Sequence, residues 1–177
     1  DNLNIGEATY LIKLLKSDTT ADALAEIDDE KREKILKNLS AKEIAEELTE
    51  LDTDDAVDII SELPEERKER VISQIEDDKH IEDIRELLTY NENTAGGLMA
   101  KELVKVNENL SVLKCLNEMR SQAENVTRVH SIYVVDGKNK LKGRLSLKDL
   151  ITANSKAKVK DIFIPNVDYV YVNEENE

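Results

Sequence analysis

KSDTTADALAEI (16–27), DDEKREKILKNL (28–39), SAKEIAEELTEL (40–51), DTDDAVDIISEL (52–63), PEERKERVISQI (64–75) and EDDKHIEDIREL (76–87) are six consecutive units of one twelve-residue pattern. The ninth position is always aliphatic: Leu24, Leu36, Leu48, Ile60, Ile72 and Ile84. So is the twelfth: Ile27, Leu39, Leu51, Leu63, Ile75 and Leu87. Asp28, Ser40 and Asp52 read as helix N-caps, Pro64 suits a first helical turn, and Ser40 with Glu43 has the spacing of a capping box. Each unit is therefore a helix of about two turns with a narrow apolar stripe. Alone such a helix is marginal, because it forms too few bonds to offset nucleation. Stacked, neighbouring stripes share one continuous core. A long coiled coil is the alternative, but the caps and Pro64 interrupt it and the period is not seven. The expectation is a right-handed stack of short helices.

Charge follows the same division. The first 90 residues hold 27 Asp and Glu against 12 Lys and Arg, a balance of −15, while the rest balances at +1. Such a surface repels nucleic acid and anionic lipid and attracts cations. No nucleic-acid partner is expected. Aromatic content is 3%, with no Trp, so the core must be aliphatic. No apolar run approaches the roughly 18 to 20 residues of a membrane span, and no signal peptide is read at the start, so the chain reads as soluble. Cys115, inside the apolar pattern Leu113 to Leu116, reads as a core thiol of a reducing compartment.

After Leu88 the character changes. Tyr90 to Gly97 is a turn-rich joint. Beyond it, Glu102 to Asn107 is a strand candidate, Leu110 to Arg120 an amphipathic helix and Ser131 to Val135 a buried strand. A turn through Asp136, Gly137 and Asn139 leads to a strand from Leu141 to Leu145, and Ser146 caps a helix from Leu147 to Ala153. A further strand is expected from Asp168 to Val172, after Pro165.

From Glu43 to Glu66 eleven acids occur without one base. In the fourth unit Asp54, Asp58 and Glu62 are spaced i, i+4, i+8 and fall on one stripe, opposite Ala56, Ile59, Ile60 and Leu63. No Lys or Arg on that helix relieves them. Two carboxylates about 5 Å apart repel by roughly 3 kcal/mol at an effective dielectric near 20. A divalent cation reverses the sign of that term, and Mg²⁺, which keeps several waters and takes one or two carboxylates directly, suits the surface. The competing reading is a solvated helix face.

The run Leu87 to Met99, LLTYNENTAGGLM, resembles the joint between the N domain and the first cystathionine-β-synthase (CBS) module of MgtE-type magnesium transporters. Ile132 to Asp136 and Leu141 to Ile151 are similar to the hairpin and second helix of that module. The resemblance covers essentially the whole chain. It implies an α+β fold: an N-terminal all-α superhelical stack of short helices (1–90), a joint (91–97), one α/β CBS module (98–163) and the start of a second CBS module (164–177). It implies a Mg²⁺-sensing regulatory region on the cytoplasmic side of the cell membrane, gating ion flow by closure of its N and CBS domains, and no enzyme. It also implies a homodimer through CBS modules, with a second CBS module and a transmembrane domain as partners within the same protein. By the same resemblance the ion-binding carboxylates correspond to Asp22, Asp54 and Asp58, with Asp55 adjacent.

Ser146-x-x-Asp149 matches the CBS pattern in which a hydroxyl and a carboxylate meet the phosphate and ribose of ATP or another adenine nucleotide, with Lys148 near the phosphates. The same spacing is a helix cap, and both readings stand. Ser131 occupies the place where a stacking aromatic helps to hold adenine. His80, His130 and Cys115 are too scattered for zinc, and no phosphate loop or nucleophile–base pair appears. The alternative function is a nucleotide-sensing CBS adaptor with a helical protein-binding repeat; a third reading is a structural scaffold.

Overall fold

The computed structural model describes residues 3–15, 17–124, 126, 129 and 131–175. Two compact units emerge: Asp1–Lys101 together with Tyr171–Glu177, and Glu102–Val170.

The first unit contains seven helices among the described residues: α1 (Ile5–Leu14), α2 (Ser17–Glu26), α3 (Asp29–Leu36), α4 (Ala41–Leu48), α5 (Thr53–Ser61), α6 (Glu65–Ile72) and α7 (Asp78–Leu87). Four of the seven run to eight or nine residues, and α3 to α6 each start on the second residue of a repeat unit, directly after its N-cap. Asp28 accepts from the Lys31 amide, and Ser40 and Glu43 form both bonds of a capping box. Asp52 is an N-cap by backbone conformation, with no side-chain cap bond. Pro64 sits one place earlier than the sequence suggests: it is the N-cap of α6, with its carbonyl receiving the first bonds, from Arg67 and Lys68. The last unit starts late, on Asp77, whose carboxylate takes the Lys79 and His80 amides. An Asn4–Glu7 capping box opens α1, ahead of the repeat.

All six ninth-position residues are at most 1% exposed, and five of the twelfth-position residues are buried, Ile27 packing against the same core from its edge. Packing pairs alternate helices, α1 on α3, α2 on α4, α4 on α6 and α5 on α7, which is how a stack of two-turn helices builds one core. The joint belongs to this unit. Amides of Ala95 and Gly96 donate to the carbonyls of Glu174 and Val172, and the Lys101 amide donates to Thr53 Oγ1 at 2.9 Å. A Cβ at Gly96 would lie 2.7 Å from the Tyr90 ring, and one at Gly97 would lie 2.3 Å from the Asn91 carbonyl, so the Ala-Gly-Gly run is a requirement of close packing.

The second unit is a four-stranded sheet ordered β1 (Val104–Asn107), β2 (Ile132–Val135), β3 (Leu141–Leu145), β4 (Ile164–Pro165). β1 and β2 are parallel and joined through α8 (Val112–Ala123); β3 is antiparallel to both β2 and β4. The helix α9 (Leu147–Thr152) follows β3. The core gathers Val104, Val106, Val112, Cys115, Ile132, Val134, Leu145, Leu150 and Val159. The strand expected from Asp168 to Val172 is not formed: among the described residues no strand pairs with it. Tyr169, Val170 and Tyr171 are each about two-thirds exposed, and the chain beyond them bonds to the joint instead. Alternating Tyr and Val favour a strand only where a partner edge is available.

Candidate functional site

The acidic stripe lies on α5. Its apolar face, Ala56, Val57, Ile59 and Ile60, is buried in the stack, which turns Asp54, Asp55 and Asp58 outward. Asp55 and Asp58 reach solvent, yet the protein around their bases still raises both carboxyls above the ordinary aspartate value, burial being the largest cause. Asp54 is the next, acting on both. Asp52 and Glu26 also press on Asp55, and Glu62 and Asp29 on Asp58. Like charges have thus been gathered at a cost, and a cation there lowers it.

Asp22 is exposed on α2; the residue of that helix felt at Asp55 is Glu26, one turn further on. The structure therefore sets Asp54, Asp55 and Asp58 on one helix, and Asp22 stands on the neighbouring α2. Among the described residues no three His, Cys, Asp or Glu side chains converge into a group that holds a metal. The stripe fits an ion that retains its water and takes one or two carboxylates, and Asp54 and Asp58 are the residues that would hold it.

One counter-charge escaped the sequence reading. Arg32 of α3 is 7% exposed and reaches Glu62, the C-cap of α5, through Nε at 2.9 Å and through a second guanidinium nitrogen. The same side chain donates to the carbonyls of Leu24, Ala25 and Ile27 at the end of α2, and to Asp29 at 2.7 Å. Its pull partly offsets the rise at Asp58. Glu62 Oε2 is buried and has no hydrogen-bond partner. So Glu62 leaves the stripe to become an anchor, and the carboxylates left on the stripe are those of Asp54, Asp55 and Asp58. Repeat position five could have flagged Arg32: four of its six occupants, Thr20, Arg32, Ile44 and Ala56, are buried.

In the second unit Ser146 and Asp149 are used on each other. The Asp149 amide donates to Ser146 Oγ at 3.0 Å, and that hydroxyl donates to Asp149 Oδ2 at 2.7 Å, capping α9. Lys148 is exposed. A cleft of about 360 Å³ lies in the same unit, lined by Ser131, Tyr133, Arg144, Ile164, Asn166, Val167 and Asp168. Tyr133, Arg144 and Ile164 are register neighbours across three strands, so their side chains share one face. Asn166, at φ 58°, turns the chain so that Val167 and Asp168 close the cleft. Gly143 lets β4 approach: a Cβ there would meet the Ile164 carbonyl at 2.1 Å. Tyr133 and Arg144 were missed in the sequence because strand alternation alone does not say which face carries a cleft. His80 Nε2 donates to the Leu48 carbonyl at 3.1 Å. His130 lies outside the described residues.

Comparison with known proteins bears on both units. Residues 1–93 match the family profile of the MgtE intracellular N domain, and residues 95–156 match that of the CBS domain. Magnesium transporter MgtE of Thermus thermophilus is 43% identical over 91 residues, 51% of this chain and 20% of that protein. The protein of that name from Enterococcus faecalis is 35% identical over 92 residues, 52% of this chain and 20% of that one. The chain thus spans about a fifth of the length of the curated relatives it matches. Among solved structures, the cytosolic domain of the Mg²⁺ channel MgtE in complex with ATP superposes with a TM-score of 0.90 at 32% identity, covering 99% of this chain and 71% of that one. The soluble part of a magnesium transporter gives 0.85 at 29%, covering 98% and 68%. These relatives are transporters and channels rather than enzymes. With an N-domain profile over more than half its length and a CBS profile directly after it, the chain belongs to the MgtE family.

Proposed function

We propose that this chain is the Mg²⁺-sensing regulatory region of a magnesium transporter or channel, on the cytoplasmic side of the membrane. Ion flow is gated by Mg²⁺-dependent closure of its N and CBS domains. The observation that carries this reading is the pair of α5 carboxyls, Asp55 and Asp58, whose proton affinity is raised first by burial and then by neighbouring carboxylates. A cation binding there replaces repulsion by attraction, so the neutralised state differs in energy from the free one, as any sensor requires. Asp54, Asp55 and Asp58 are the proposed ligands on α5, with Asp22 from α2. Leu147 and Ile151, one turn apart on α9, and Leu113 on α8 are exposed, which supports pairing of this module with a second CBS module and in a homodimer. The test is current or flux through the complete protein as cytoplasmic Mg²⁺ is raised. Wild type is expected to close; Asp54→Asn with Asp58→Asn is expected to stay open at concentrations that close wild type. Closure of both at the same Mg²⁺ removes the site.

A second reading, that the CBS unit also takes ATP or another adenine nucleotide, is favoured by one feature. Tyr133 offers an aromatic face in the cleft on the same side of β2 as Ser131, and Arg144 adds a cation beside it. The related structure solved with ATP supports it. ATP-dependent stabilisation that disappears in Tyr133→Ala is the expected result; stabilisation that survives this change places any nucleotide elsewhere.

A further inference from the structure

An open sheet has two outer edges, and each is a row of backbone donors and acceptors to which another strand can add. In the mixed unit β4 guards one edge by being two residues long and ending in Pro165, which has no amide to offer. Among the described residues β1 forms the other edge. It is four residues long, with Val104 and Val106 buried, Lys105 exposed and Leu103, just before it, exposed as well. Leu103-Val104-Lys105-Val106 has the apolar, β-branched character that pairs readily.

The outer side of β1 is nevertheless occupied. Gln122 lies in the last turn of α8, the helix that packs on β1. Its Oε1 accepts from the Lys105 amide at 2.9 Å, and its Nε2 donates to the Lys105 carbonyl at 2.8 Å. A carboxamide carries the same donor and acceptor as a peptide group. By taking both groups of one residue, Gln122 reproduces the paired exchange that a directly opposite residue makes in an antiparallel ladder. Two residues further along β1, the Asn107 carbonyl accepts the Leu110 amide from the turn into α8. The carbonyls of Lys105 and Asn107 are thus both used within the unit.

We infer that Gln122 stands in for a neighbouring strand and seals the β1 edge against pairing with a second copy of this chain. Lys105 lies at the surface, so water would satisfy its amide and carbonyl if Gln122 were absent, and the two bonds add little to folding. Their consequence is exclusion. The same strip of β1 in two copies is self-complementary in an antiparallel pair, and the charge of Lys105 is the remaining deterrent once Gln122 is gone.

The test is hydrogen exchange and sedimentation of the whole chain at high salt, where the charge of Lys105 is screened. Wild type is compared with Gln122→Ala and with Gln122→Ala combined with Lys105→Pro. In dilute wild type the Lys105 amide is expected to exchange slowly. Gln122→Ala should speed it by about tenfold while the amides of β2 keep their protection. In concentrated solution Gln122→Ala should form species larger than any of wild type. Adding Lys105→Pro, which suits an edge strand and removes the outward amide, should return the wild-type size. A wild-type Lys105 amide that exchanges as fast as an unprotected one overturns the seal, whether or not the variants fold. So does a Gln122→Ala protein of unchanged size, and so do larger species that persist with Lys105→Pro.

Discussion

Leu48 in the helical unit and Leu150 in the mixed unit are both fully inaccessible, yet they are buried by different means. Leu48 is one of a series in which each two-turn helix covers the next but one, so the core is long and the helix ends are many. Leu150 belongs to a single closed cluster beneath one four-stranded sheet. Many helix ends mean many orphan carbonyls, and the helical unit answers them with side chains from other helices. Arg32 serves the end of α2, Arg67 the end of α3 and His80 the end of α4. A long stack also has much surface, and all of the chain's excess negative charge sits there. What differs, then, is where chemistry can reside: on a charged face in the first unit, in a cleft between strands in the second.

The largest effect expected from breaking one side of this comparison is that of Arg32→Met. It strips three carbonyls, Asp29 and Glu62 of their donor and leaves Glu62 partly buried without its cation, at a cost of about 3 to 5 kcal/mol. Denaturant unfolding should show the helical signal lost early. Cys115, whose thiol burial pushes up to about 11, should stay unreactive to a maleimide until the mixed unit opens. Simultaneous loss of both signals would mean that the units do not unfold independently.

Leu48→Ala removes a fully buried side chain from the middle of the series and should cost about 3 kcal/mol, spread over α2, α4 and α6. Hydrogen exchange should report it as faster opening of all three helices. In the mixed unit Gly143→Ala puts a methyl group 2.1 Å from the Ile164 carbonyl and should release β4 alone, with loss of its exchange protection while β1 and β2 keep theirs.

Smaller still is the acid limb of the stability profile. Glu43, held at about 2 first by the Ser40 amide and then by Lys13, contributes stability that is present above pH 4.5 and lost as pH falls through its folded value. Asp55 and Asp58, raised instead, act with the opposite sign: they gain stability on protonation as pH falls toward the ordinary aspartate value. Between pH 7 and 2 the Tm of the helical unit should therefore rise before it falls, and Glu43→Gln should remove part of the fall.

Most of the helical unit was legible in its sequence because burial repeats every twelve residues and caps punctuate it. Asp28 and Ser40 cap where their side-chain chemistry says they should. Position five stayed hidden because its occupants, from Thr20 and Arg32 to Lys68 and His80, share a location but no chemistry. The role of Arg32 depends on Glu62, 30 residues away, and no local pattern announces a bond of that span. The strand missing at Asp168 to Val172 failed for a related reason: its propensity is local, but a strand requires a free edge, and the chain turns to the joint. The i, i+4 spacing of Asp54 and Asp58 was enough to set them on the face of α5 opposite its buried residues. The cleft with Tyr133 and Arg144 required the strand register.

The proposed sensor requires that the α5 stripe, and not acidity in general, answers Mg²⁺. The most direct measurement is the Tm of the helical unit in MgCl₂ against NaCl at matched ionic strength, for wild type and for Asp54→Asn with Asp58→Asn. The variant is expected to be the more stable protein without Mg²⁺, Mg²⁺ to raise the wild-type Tm beyond the NaCl control, and this excess to be lost in the variant. Equal excess in both proteins would contradict it and leave the stripe a solvated helix face.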